Sequence, residues 1–107
     1  MPRVLWRTDE IVVLVYFQSR KVCHEACRKL IQRKCATQRD LAGIRGKLAH
    51  IRRRFSELWD SELQQWNLEA VDQWLSEQET ANFADLTNFD LADQQLVLEV
   101  SLRQRSL

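Results

Sequence analysis

From residue 3 to its C-terminus this 107-residue chain has no proline, and its two glycines, Gly43 and Gly46, stand three positions apart. Sandwiches and barrels need turn residues at regular, short intervals. A chain with so few breakers is expected to consist of helices joined by polar turns. The sequence therefore predicts an all-α protein, a compact bundle of about five helices forming a single domain over residues 1–107. That length is usual for one domain. Its 45% hydrophobic content can build a core without disulfides or a structural metal.

Local signals place the helices. Thr8-Asp9-Glu10 reads as an N-cap followed by acidic residues where the helix dipole favours them. The seven-residue apolar run from Ile11 to Phe17 follows. Its β-branched residues suit a strand, but no second strand is evident to pair with it, so a helix over 8–19 is predicted. A helix apolar nearly all round needs cover on more than one side. Cys23, Ala26, Cys27, Leu30 and Ile31 then recur at helical spacing, giving a second helix over 22–34. Thr37 is the expected cap of a third, over 38–55. Leu41, Ile44, Leu48, Ile51 and Phe55 form its apolar stripe. Ser56 to Trp66 reads as an irregular linker. Asn67 caps a helix over 68–78, Ala81 to Asn88 holds one helical turn, and Asp90 caps a last helix over 90–104 with Leu91, Leu96, Val97, Val100 and Leu102 apolar. Trp59, Trp66, Trp74 and Phe83 are expected in the core, covering the first helix.

Charge divides the chain. Residues 1–55 carry 14 Lys and Arg against 4 Asp and Glu, a balance of +10. Residues 56–107 carry 2 against 11, a balance of −9, and together the halves give the net +1. So steep a split concerns partners rather than fold. In the third helix, Arg39, Gly43, Gly46, His50 and Arg53 fall opposite the apolar stripe. Lys47 and Arg54 flank one edge of that face, Arg45 and Arg52 the other. Cations neutralise phosphates and read guanine edges. Glycine on an exposed helix face costs about 1 kcal/mol against alanine, which makes sense if a backbone must approach closely. The ordinary alternative is a solvated charged face with incidental glycines.

Trp6, the acidic start Thr8-Asp9-Glu10, two apolar helices and a third opening at Thr37 with Ile44-Arg45-Gly46-Lys47-Leu48 resemble a Myb/SANT-type helix-turn-helix over about residues 6–55. The segment is also similar to domains of uncharacterised proteins of filamentous fungi. The family's later core tryptophans are replaced here by Val22 and by Leu48 or Phe55. The resemblance implies one of two activities: DNA binding in the Myb branch, or binding of histone tails and other proteins in the SANT branch. A basic third helix favours the first. The expectation is a nuclear regulatory or chromatin-associated protein binding double-stranded DNA. Lys47 and His50 would face bases, Arg53 and Arg54 phosphates, with Arg39 and Arg45 contributing. Arg20 and Lys21, in the first turn, would clamp the flanking backbone. The acidic helices are expected to cover the first helix away from this face. They could instead dock a basic protein, form a homodimer, or fold back over the basic face as a DNA mimic.

Other chemistries find little support. Cys23, Cys27, Cys35 and a histidine could in principle hold zinc, but no paired ligand knuckle is present. Cys23 and Cys27 instead sit on the apolar stripe of the second helix, where cysteine acts as a small hydrophobe. No positioned nucleophile, acid–base pair or phosphate loop is evident. Neither an enzyme, a cofactor nor a small-molecule substrate is therefore expected. The apolar run falls short of the ~20 residues that span a bilayer, and no cleavage site follows Arg3 and Arg7. An odd cysteine count points to a reducing, intracellular location.

Overall fold

A computed structural model describes residues 5–105; Pro2 and Arg3 lie outside the described residues. Six α-helices follow in order: α1 (Thr8–Ser19), α2 (His24–Cys35), α3 (Leu41–Arg54), α4 (Leu68–Ser76), α5 (Phe83–Thr87) and α6 (Leu91–Arg105). A 3-10 turn (Ser56–Leu58) and a small hairpin, β1 (Trp59–Asp60) with β2 (Gln65–Trp66), join α3 to α4. The molecule is nearly spherical, 34 × 33 × 32 Å. It is the all-α bundle that the scarcity of breakers predicts.

The apolar run forms the central helix. Val12, Val13, Leu14 and Val15 are all fully buried. Four consecutive buried side chains on a helix need cover all round. Helix α1 packs against α2, α4 and α5, while α6 packs mainly on α2. From α3, Ile44, Leu48 and Ile51 enter the same core, and Leu58, Val71, Trp74, Leu75 and Leu86 complete it.

Several boundaries differ from expectation, each for a visible reason. Arg7, not Thr8, caps α1, and Glu10 accepts the Arg7 backbone N–H at 3.1 Å. Helix α2 starts two residues late, at His24, and ends at Cys35, where Ala36 turns left-handed. Helix α3 starts at Leu41 because the Asp40 carboxylate accepts the Gly43 N–H at 2.7 Å. Thr37 is not its cap; its hydroxyl donates to the Cys35 carbonyl at 3.2 Å. The expected linker is partly ordered: Asp60 accepts the N–H groups of Glu62 and Leu63, each at 3.0 Å, and the turn pairs Trp59 with Trp66. Two-residue strands are too short to show a period of two.

Asn67 caps α4 as expected, accepting the Ala70 N–H. Asp90 caps α6, accepting the Asp93 N–H at 2.8 Å. Trp74 is buried against Phe55, and Trp59 and Trp66 are half-buried. Phe83 is 38% exposed, because α5 is barely longer than one turn and turns Leu86 inward instead. Leu91 and Leu102 are exposed as well, since α6 sets Asp93, Leu96, Val97 and Val100 towards the protein.

Candidate nucleic-acid interface

Between Leu41 and Arg54 the chain holds five cations and no carboxylate. The buried residues Ile44, Leu48 and Ile51 fix which way each cation points. At 100° per residue, Arg53 and Gly46 stand almost opposite that stripe, with Ala42, Ala49 and Arg45 on one side of them and His50 and Arg54 on the other. All seven are exposed. Lys47, half-buried, lies at the edge beyond Arg54. The middle of the face is thus low, made of Ala42, Gly46 and Ala49, and cations rise around it.

The two glycines divide in role. A Cβ on Gly43 would meet the capping Asp40 Oδ1 at 3.0 Å, so this glycine keeps the helix start uncrowded. A Cβ on Gly46 would meet nothing within 4 Å. Only Gly46 fits the reading of a backbone left bare for an outside partner.

Ion pairing separates the free cations from the committed ones. Arg39 is not on the exposed face, contrary to expectation. It precedes α3, and its side chain is 10% exposed, with Nε 2.7 Å from Glu10 Oε2 and the guanidinium 4.4 Å from the Trp6 ring centroid. Glu10, itself 1% exposed, needs that cation: burial pushes its carboxyl up, but the Arg39 hydrogen bond, the Arg7 N–H and the two charges together hold it below the ordinary value. Arg20 is also committed. It bonds Asp72 of α4 at 2.9 Å and lies 3.9 Å over the Tyr16 ring, tying α1 to the acidic half instead of standing ready as a clamp. Lys21 beside it is exposed. By contrast, Arg45, Lys47, Arg53 and Arg54 make no ion pair among the described residues, and Arg54 only leans on Phe55.

The acidic half closes elsewhere. Asp90 and Asp93, at the start of α6, meet Arg33 and Lys34 at the end of α2, with Lys34 Nζ 3.0 Å from Asp93. Opposite charges thus meet opposite helix-end dipoles. No described ion pair folds an acid onto α3 as a DNA mimic would.

Arg52, the fifth cation of α3, turns to the core edge. Its guanidinium lies 3.9 Å from the Trp59 centroid and 5.2 Å from that of Trp66. One of its N–H groups reaches Gln18 Oε1 at 3.4 Å, which also accepts from Trp66 Nε1. Sequence spacing placed Arg52 near the core boundary, but its indole partners are separated from it by a turn that spacing does not reveal. The charges of Arg45 and Arg52 reach the start of α2. Burial, reinforced by their charge, pushes the His24 pKa down.

Of the three cysteines, Cys27 and Cys35 are buried and Cys23 is half-buried. Burial pushes both Cys27 and Cys35 up to about 12, with the Cys23 thiol adding to the first and Asp9 and Glu10 to the second. No cluster of three or more metal-ligating side chains occurs among the described residues. Comparison with family models, with curated proteins and with solved structures finds no match to this chain.

Proposed function

We propose that this domain binds double-stranded DNA through the outer face of α3, as the Myb branch of the resemblance implies. One observation carries the reading: α3 keeps Arg45, Lys47, Arg53 and Arg54 free of carboxylates in a protein whose other half is acidic. If those charges served the fold, partners were at hand. A low centre of Ala42, Gly46 and Ala49 lets the helix backbone approach a groove, with the surrounding cations on phosphates or base edges. Lys47 and His50 lie on one flank of the face, Arg45 on the other, and Arg53 and Arg54 end the helix. A nuclear regulatory or chromatin-associated role follows from that activity.

Anisotropy titration of a labelled mixed-sequence duplex tests the proposal. Affinity should fall with salt, with a log–log slope of several units. Absence of binding at about 50 mM salt rejects the reading.

A second reading rests on a separate observation. On α6, Leu91 and Leu98 are 77% and 58% exposed and stand seven residues apart on the face turned away from α2. Such a stripe suits a protein partner or a second copy of this chain docking on the acidic half. A dimer in sedimentation that Leu98→Asp dissociates, with no DNA bound, favours it.

A further inference from the structure

A cleft of about 440 Å³ opens between the α1–α2 turn and the hairpin, walled by Trp59 and Trp66 and edged by Gln18, Lys21, Cys23 and Gln65. It belongs to neither surface described above. The indole centroids are 5.5 Å apart with planes at 85°, so the two rings form a right-angled corner. A corner of this kind suits either a flat ring or an alkylammonium group.

Charge decides between them. The Arg52 guanidinium already lies over both indoles. Lys21 is exposed at the rim, and none of the lining residues is acidic, although the hairpin comes from the acidic half. A second cation here meets two positive charges and no negative one. A flat ring bearing a negative charge meets the reverse: indole to stack on, the Gln65 amide to donate and accept along its edge, and an ammonium for the charge. An unstacked nucleotide has this combination of a planar base and a phosphate.

We propose that the cleft holds one unpaired nucleotide of a DNA strand bound by α3, its base against the indoles and its phosphate on Lys21. The inference rests on the DNA-binding reading and extends it. The two surfaces adjoin. Arg52 belongs to α3 and lies seven residues from Arg45, within about 20° around the helix. His24, which feels the charge of both arginines, directly follows Cys23 at the cleft edge. Lys21 also has a φ of 69°, a left-handed conformation that glycine or asparagine adopts more easily than lysine. Its side chain is therefore no requirement of the turn.

The test compares two labelled hairpin DNAs, one with a fully paired stem and one with a single extra unpaired thymidine in the same stem. Stacking on an indole should raise affinity for the second by about fivefold or more. Trp59→Leu should remove that gain and leave affinity for the paired stem within about twofold. If Trp59→Leu does not fold, Lys21→Gly carries the test, since it keeps the turn, and the gain must again disappear. Equal affinity of the native protein for both DNAs overturns the cleft proposal and leaves the α3 reading standing. A gain that survives in a folded variant also overturns it. Binding to neither DNA removes both readings together.

Discussion

The cations around α2 and those along α3 come from the same basic half of the sequence but meet different surroundings. Arg33 and Lys34 end α2 against Asp90 and Asp93, and just beyond them Arg39 turns inward to Glu10. Arg45, Arg53 and Arg54 point outward from a helix that carries no acid. The first group joins parts of the fold that lie far apart in sequence. The second contributes nothing visible to the fold. A surplus of +10 in residues 1–55 therefore overstates the charge on offer to a partner. What a partner meets is the part that folding leaves unpaired.

This contrast is open to direct attack, and the largest effects should fall on the inward group. Arg39→Met leaves the buried Glu10 carboxylate short of its nearest cation, and Lys34→Met takes from the buried Asp93 one of the two cations, Lys34 and Arg33, that each lie 3.0 Å from it. Each should lower unfolding free energy by about 3–5 kcal/mol in urea denaturation. A loss under about 1 kcal/mol for both would mean that the inward cations are as dispensable as surface ones.

Acid should expose the same dependence. The Glu10 carboxyl is held below its ordinary value in the fold, so its contribution is complete above the unfolded value of about 4.3. It declines as pH falls through the lower folded value. The urea midpoint of the native protein should drop more steeply than that of Glu10→Gln below about pH 4.3. Parallel curves would contradict the Glu10–Arg39 argument.

The glycines give a smaller and opposite effect. Gly46→Ala should stabilise by about 1 kcal/mol, since its Cβ enters open space. Gly43→Ala should not share that gain, because its Cβ crowds the Asp40 cap. If Gly46→Ala also weakens DNA binding, close approach at this point is supported.

The outward cations should matter least to stability. Arg45→Ala and Arg53→Ala should each move unfolding free energy by no more than about 0.5 kcal/mol. On DNA, each should lower the salt slope by about 0.9 for every phosphate that the arginine neutralises. A large loss of stability would show that these residues serve the fold after all.

Much of the fold was legible because its signals are local. The acidic start and apolar run of α1, the helical spacing in α2 and the caps at Asn67 and Asp90 all lie within a few residues of what they specify. The outward positions of Arg45, Gly46, His50 and Arg53 were legible too, since the stripe of Ile44, Leu48 and Ile51 fixes the rotation of α3. Arg39 and Thr37 were misplaced for one reason. The periodicity continues upstream of Leu41, while the true start depends on Asp40 and on the pull of Glu10 from another helix. The Trp59–Trp66 corner left only a faint signal, two tryptophans seven residues apart, because the turn that joins them depends on Asp60 and not on a repeating pattern.

By itself the sequence determined that the chain is helical, where most helices lie, and which side of α3 faces out. These follow from the scarcity of breakers, from caps and from periodicity, all short-range properties of the chain. Only the tertiary structure decided which cations remain free and that Arg52 reaches a pair of indoles from the hairpin. Those outcomes depend on partners 7 to 60 positions away, brought together by burial of the apolar faces around α1. Pairing of charges across such separations leaves no periodic mark in the sequence.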